Sequence, residues 1–156
     1  MTSSMRAPCD QLVYGQSLMA DVRGIEKWRR EAAAVVQAWG ASATAVELVR
    51  LGVSELLSNV LRHVGQRRCY LRIVRIGTEV TVQVFDRSRT MPMIGEAPDG
   101  EAESGRGLWM LREMAAGFGC ERTCHGDGKI VWFRCDLSDA GDKLPRSRAL
   151  NVNHAE

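Results

Sequence analysis

The chain has 156 residues, of which 45% are hydrophobic and 26% charged, the balance of a soluble globular protein with one domain. Its formal net charge of +2 is too small to indicate nucleic-acid binding. No apolar run approaches the about 20 residues that a membrane-spanning helix needs, and the first ten residues lack the apolar core of a signal peptide. We therefore expect a cytoplasmic protein that contacts neither a membrane nor nucleic acid directly.

The five cysteines form an odd set without a secretion signal, which indicates reduced thiols. Cys120, Cys124 and His125 could supply part of a zinc site. Structural zinc sites usually have four ligands at tighter spacing, and no second pair follows here. We interpret the cysteines as small buried hydrophobic residues.

The first part of the chain predicts a tail, a strand and a helix. Residues 1–10 are expected to be a flexible tail, and residues 11–18 read as a strand. From residue 21 to 39, apolar side chains recur every three or four positions, which is typical of an amphipathic helix. Asp21 and Gly40 are its expected N-cap and C-cap.

A second helix is predicted over residues 44–63, with Gly65 ending it. After this helix, apolar residues recur at every second position. Segments 69–76 and 79–86 alternate apolar and polar residues around a glycine turn, which indicates a hairpin. Residues 87–104 lack periodicity, and loops of that length are usually functional.

The last part of the chain predicts a helix over residues 107–116 and a hairpin of strands 120–125 and 129–137. The polar tail 138–156 is expected to be disordered. We predict one α+β domain over 11–137, a two-layer sandwich whose helices pack on one face of a mixed, mostly antiparallel sheet.

The second helix carries three polar residues on one face. Glu55, Asn59 and His63 are spaced by four and lie side by side in a helix. A carboxylate, an amide and an imidazole there could hold a metal-bound phosphate and accept a proton. A solvated helix face is the alternative that spacing alone leaves open.

Two further features are ambiguous when taken singly. Asp86 ends a strand, where an aspartate can start a turn or accept a hydrogen bond from the amine of a base. Gly105, Arg106 and Gly107 open a helix, where free N–H groups and exposed backbone favour an anion. A glycine hinge before a core helix is the other reading of that tripeptide.

In this order the motifs resemble those of the ATP-binding fold of gyrase, the 90 kDa heat-shock chaperone, histidine kinases and mismatch-repair ATPases. The chain is most similar to single-domain anti-sigma factor serine kinases and their short actinobacterial relatives. "ELLSNVLRH" resembles the N box, "VFDRSRTMP" and "GRGLWML" the two glycine boxes, and "GDGKIVWFRCDL" the last hairpin. The resemblance covers about residues 11–137 and implies a Bergerat-type fold.

The resemblance also implies roles for these residues. Glu55 would be the general base, Asn59 would ligate the Mg²⁺ that bridges the phosphates of ATP, and Asp86 would bind the adenine amino group. The glycine-box residues would face the phosphates under a lid formed by 87–104. These residues are Gly105, Arg106, Gly107 and Leu108. His63 matches a common N-box histidine whose role stays open, and no phosphoacceptor histidine domain is present.

Two positions depart from the family pattern. Ser88 stands where the family often has a glycine after the adenine aspartate. Ile130 stands where the family often has a threonine that helps bind adenine through water. One lost hydrogen bond would weaken nucleotide binding roughly fivefold to tenfold.

Three functions follow as hypotheses. The first is a serine/threonine protein kinase that binds a sigma factor and phosphorylates a STAS-type anti-sigma factor antagonist. The second is a non-catalytic ATP-dependent switch, and the third is a nucleotide-free protein-binding regulator of transcription. The family often dimerises through its first strand and helix, so a homodimer is a further expectation.

Overall fold

The computed structural model describes residues 11–63, 67–88, 91–92, 106–124 and 126–140. Eight elements follow one another in that part of the chain. They are β1 (Gln11–Met19), α1 (Ile25–Ala38), α2 (Ala43–His63), β2 (Arg68–Ile76), β3 (Glu79–Asp86), α3 (Arg106–Met114), β4 (Gly117–Arg122) and β5 (Lys129–Asp136). Most of the long loop predicted over 87–104 and the tails at 1–10 and 141–156 lie outside the described residues.

The five strands form one sheet in the order β1-β2-β3-β5-β4, and every pairing between neighbours is antiparallel. Strands β2 and β3 alternate between buried and more exposed residues, as the period of two predicts. The buried side of the sheet packs against the helices. The predicted two-layer α+β architecture is therefore confirmed.

The core lies between the inner face of the sheet and helix α2. Fully buried side chains come from both layers, among them Val53, Leu57, Leu71, Val82 and Phe133. Helix α2 packs on β3 and β5 and also contacts α1 and α3. Among the described residues, no helix is both long and apolar enough to span a membrane.

Helix α1 begins at Ile25, so the expected N-cap at Asp21 is wrong. Asp21 instead closes the preceding turn, where its Oδ1 accepts the N–H of Arg23 at 3.0 Å, and Gly24 is the N-cap residue. Gly40 follows the helix with φ +91°. Its N–H donates to Gln37 O and that of Ala41 donates to Val36 O, the pattern of a Schellman motif that glycine favours.

Strand β4 begins at Gly117, three residues earlier than predicted, and α3 ends at Met114. The difference arises from two glycines on β4 opposite the large ring of Trp132. A Cβ at Gly119 would collide with that ring, and one at Gly117 would press on it. Small residues there let β4 pair closely with β5, although glycine-rich sequence does not look like a strand.

Candidate functional site

The middle of the molecule brings together elements that are distant in sequence. Helix α2 carries Glu55 and Asn59 one turn apart, and it packs against α3 and against β3 and β5, which end at Asp86 and begin at Lys129. Asn59 is buried, with 5% of its surface exposed. The solvated face that spacing allowed is therefore wrong for Asn59. His63 is the last residue of α2, and its side chain lies outside the described residues.

Glu55 meets the start of α3. A Cβ added to Gly107 would fall on the carboxylate of Glu55, so only a glycine leaves room for this close approach. Burial raises the pKa of Glu55, and the positive charge of Arg62 opposes that shift more weakly. The helix N-terminus and the half-buried carboxylate thus lie together, as the resemblance implied.

The rest of the second glycine box is described only in part. Helix α3 begins at Arg106, whose side chain lies outside the described residues, as does Gly105. Leu108 is buried in the core. Its side chain anchors α3, so only its backbone is available to a ligand.

Asp86 is the most enclosed acid of the candidate site. Its side chain is 1% exposed, and its Oδ1 accepts from Lys129 Nζ at 3.1 Å and from the N–H of Ser88 at 2.8 Å. Its Oδ2 is buried, and no group in the described part of the chain donates to it. Asp86 therefore starts a turn, as its position at a strand end indicated, and still offers one acceptor to a ligand amine.

Lys129 is the site residue that sequence reasoning missed. It lies directly opposite Asp86 in the β3–β5 register and is 0% exposed. The expected placement of Ile130 beside Asp86 is wrong, because Lys129 lies opposite Asp86 and Ile130, the next residue, points to the outer face of the sheet. Strand alternation could have found this, since Val131 and Phe133 are core residues on the same face as Lys129.

The surface of the sheet has two hollows, one near Ile130 and one near Asp86. One of about 430 Å³ lies on the outer face and includes Ile130, Trp132 and Arg134 but none of the predicted site residues. Another of about 220 Å³ lies at the ends of β1, β2 and β3 and includes Asp86 and Cys69. Each hollow has a buried oxygen to which no described residue donates, Oε1 of Gln83 in the first and Oδ2 of Asp86 in the second. We place the candidate site at Asp86 because its oxygen belongs to a carboxylate that is 1% exposed and paired with a buried lysine.

Gly128 also shapes the site. A Cβ there would collide with the backbone carbonyl of Asp86, and backbone cannot move aside as a side chain can. The glycine before Lys129 therefore lets β5 come close to the end of β3. Its place in a predicted turn gave no indication of this contact.

Two cysteines lie close to the Asp86–Lys129 pair. Burial, followed by the charge of Asp86, raises the pKa of Cys69 to about 12, and burial also raises the pKa of Cys120. Cys69 and Cys135 are buried as expected, whereas Cys124 is exposed, which corrects that part of the prediction. In the described ranges, no three His, Cys, Asp or Glu side chains come together as a metal cluster would require.

Comparisons with known proteins agree with this fold. The family "Histidine kinase-like ATPase domain" matches residues 18–135. A crystal structure of the RsbU and RsbW domains of Rv1364c from Mycobacterium tuberculosis is similar in fold, with a TM-score of 0.62 and 14% sequence identity. That match covers 81% of this chain and 32% of the other, so this chain spans about a third of the length of that protein. No curated protein matches the sequence.

Proposed function

Since the chain belongs to the histidine kinase-like ATPase domain family, we propose that it binds ATP between α2, α3 and the point where β3 ends and β5 begins. It then transfers the terminal phosphoryl group to a serine or threonine of a partner protein. The structural likeness to the RsbU and RsbW domains supports an ATP-binding regulator of the anti-sigma factor kinase type. A sigma factor and a STAS-type antagonist are the partners that we propose.

The buried Oδ2 of Asp86, to which no described residue donates, is the observation that carries the proposal. A buried acceptor without a donor is unfavourable in a folded protein, so a ligand that donates to it would remove that cost. The adenine amino group would donate to this oxygen. The carboxylate is acceptor-only, so it favours a base with an amino group at that position over one with a carbonyl.

The phosphates would lie at the start of α3. Its first N–H groups lack helical partners, and Gly107 leaves the backbone open on the side that faces Glu55. Because Mg²⁺ takes only one or two protein ligands when it is bound through phosphates, the amide oxygen of Asn59 is a sufficient donor. Bound there, Mg²⁺ would neutralise charge on the phosphate oxygens.

Glu55 would act as the base. The partner's hydroxyl oxygen forms a bond to the terminal phosphorus, its proton passes to the Glu55 carboxylate, and the bond from that phosphorus to the bridging oxygen breaks to release ADP. Partial burial supports this role because it makes the carboxylate a better proton acceptor than an exposed glutamate. Catalysis otherwise depends on positioning and charge neutralisation.

Transfer of labelled terminal phosphate from ATP to an antagonist protein tests the proposal. The wild type should label the antagonist, and Glu55→Ala should lower the rate about 100-fold or more while ATP binding persists. Arg50→Ala, a change on the same helix at the half-buried pair with Glu26, is the control. Binding without transfer in the wild type would instead identify a non-catalytic, ATP-dependent switch.

A further inference from the structure

Lys129 is a charged side chain with no exposed surface. Its Nζ lies 3.1 Å from Oδ1 of Asp86, and both side chains are buried, at 0% and 1% exposure. A buried ion pair of this kind is weak evidence for stability, because taking two charges out of water offsets most of their attraction. Burial of this lysine therefore calls for a reason other than stability.

The two carboxylate oxygens of Asp86 differ in their hydrogen-bond donors. Oδ1 receives two donors, the ammonium of Lys129 and the N–H of Ser88. Oδ2 receives none from the described residues and is buried. The carboxylate is thus fixed by one oxygen and presents the other.

We propose that Lys129 is a positioning residue for base recognition: by holding Oδ1 of Asp86, it fixes the orientation of the carboxylate, so that Oδ2 accepts a hydrogen bond from an amino group and rejects a carbonyl. The inference rests on the proposed ATP site and assigns to Lys129 the selectivity for a 6-aminopurine. Lys129 acts through Asp86 and does not itself need to touch the base.

The physical reason lies in the surroundings of the pair. Arg68 and Arg87 line the hollow beside Asp86, but both are exposed, whereas the ammonium of Lys129 is buried and bonds to the carboxylate. The thiols of Cys69 on β2 and Cys120 on β4 lie close enough to sense the charge of Asp86. Neither supplies a positive charge. The hydrogen bond from the ammonium of Lys129 to Oδ1 is charge-assisted and about twice as strong as a neutral one. Without that charge the carboxylate is held less firmly, and Oδ2 is no longer aimed at the base. Removal of the lysine charge should therefore abolish discrimination between an amino and an oxo group.

Inosine triphosphate is the probe, because it carries an oxo group where ATP carries an amino group. Both nucleotides are titrated with Mg²⁺ into the full chain by calorimetry. The wild type should prefer ATP at least about tenfold, since inosine triphosphate loses one hydrogen bond and leaves Oδ2 of Asp86 facing a carbonyl. In Lys129→Met the preference should fall below about threefold.

The matched control is Arg134→Met. It removes a cation from the same strand at the outer face, where Arg134 pairs with Glu79 at 3.1 Å and is 40% exposed. Its preference for ATP should equal that of the wild type. Lys129→Arg, which keeps the charge, should retain the preference too. If Lys129→Met does not fold, Lys129→Gln keeps a donor of similar size without the charge, and its preference should also fall.

The outcomes separate the two proposals. Binding of ATP by the wild type, with an unchanged preference in the folded Lys129→Met or Lys129→Gln protein, overturns the role of Lys129 and leaves the ATP site intact. An equal loss of affinity for both nucleotides assigns Lys129 to structure alone and also overturns it. If the wild type does not bind ATP, the proposed function fails, and the inference fails with it.

Discussion

At Glu55, the needs of function and of stability oppose each other. Burial raises the pKa of this carboxyl group, so the folded state binds its proton more tightly than the unfolded state does. The stability linked to a raised carboxyl pKa is present at low pH and is lost as pH rises through the folded pKa. At neutral pH the ionised carboxylate therefore destabilises the fold, while a base must be ionised to work.

Glu55→Gln should consequently stabilise the protein and inactivate it. The midpoint temperature of unfolding should be higher than that of the wild type at pH 7.5, and the difference should shrink as pH falls toward 4, where Glu55 is protonated in both states. Phosphoryl transfer should fall by about 100-fold or more. Circular dichroism melts at both pH values and a transfer assay measure this, and a lower midpoint at pH 7.5 would contradict the assigned burial effect.

Two glycines with different neighbours provide a matched pair of alanine variants. At Gly107 the new methyl group meets the end of the Glu55 side chain, which can rotate away, whereas at Gly128 it meets the backbone of Asp86. Gly107→Ala should change the free energy of unfolding by less than about 1 kcal/mol and slow transfer about tenfold or more by moving the base. Gly128→Ala should destabilise the fold by about 1–3 kcal/mol.

Chemical denaturation and the transfer assay separate these effects. Equal losses of stability in the two variants would mean that Glu55 is as firmly held as backbone. Unchanged transfer in Gly107→Ala would place Glu55 outside the reaction.

At the level of elements, α2 is held on the sheet by the contact between Gly52 and Phe133. The Phe133 ring of β5 fills the space that a Cβ at Gly52 would occupy. Gly→Ala inside a helix normally stabilises it by up to about 1 kcal/mol. Here the sign should reverse, because overpacking a tight core contact destabilises by about 1–3 kcal/mol.

Urea denaturation of Gly52→Ala, with Phe133→Leu and the double variant, measures this contact. The smaller leucine should leave room for the methyl group, so the double variant should be more stable than the sum of the two single changes predicts. Additive changes would show that the ring does not limit the approach of α2 to β5.

The sequence predicted most elements because their periodicity is strong. Alternation placed β2 and β3 almost to the residue, and the apolar stripe placed α2 within one residue of its start at Ala43. The start of α1 was misplaced, because Asp21 has the side chain of an N-cap but uses it in the turn before the helix. The start of β4 was missed because Gly117 and Gly119 owe their place to a neighbour, Trp132, that local sequence does not reveal.

At the scale of the whole molecule, the candidate site is a product of topology. Glu55 and Asn59 could be grouped from helical spacing, but the opposition of Asp86 and Lys129 depends on the register of strands whose paired residues are 43 positions apart in sequence. The roles that the resemblance assigns to residues at the phosphate end stay predictions. The resemblance assigned to Ile130 the position that Lys129 occupies. Which residues of a strand face inward is known only once the residues that enter the core are known.

A ligand that binds only the folded state should raise the stability of the whole chain. ATP with Mg²⁺ at about 100 times its dissociation constant should add about 2.7 kcal/mol to the free energy of unfolding. Asn59→Leu, which keeps the volume and removes the amide, should lose the part of this effect that depends on Mg²⁺. A thermal shift that is identical with and without Mg²⁺ in the wild type would contradict the role of Asn59.

We expect ATP to bind with its base at the buried Oδ2 of Asp86, to which no described residue donates. Calorimetric titration of ATP and Mg²⁺ into the wild type and into Asp86→Asn measures this. The wild type should bind one ATP per chain, and Asp86→Asn should bind at least about tenfold more weakly while its circular dichroism spectrum is unchanged. Equal affinity in the two proteins, or no binding by the wild type, would contradict the claim.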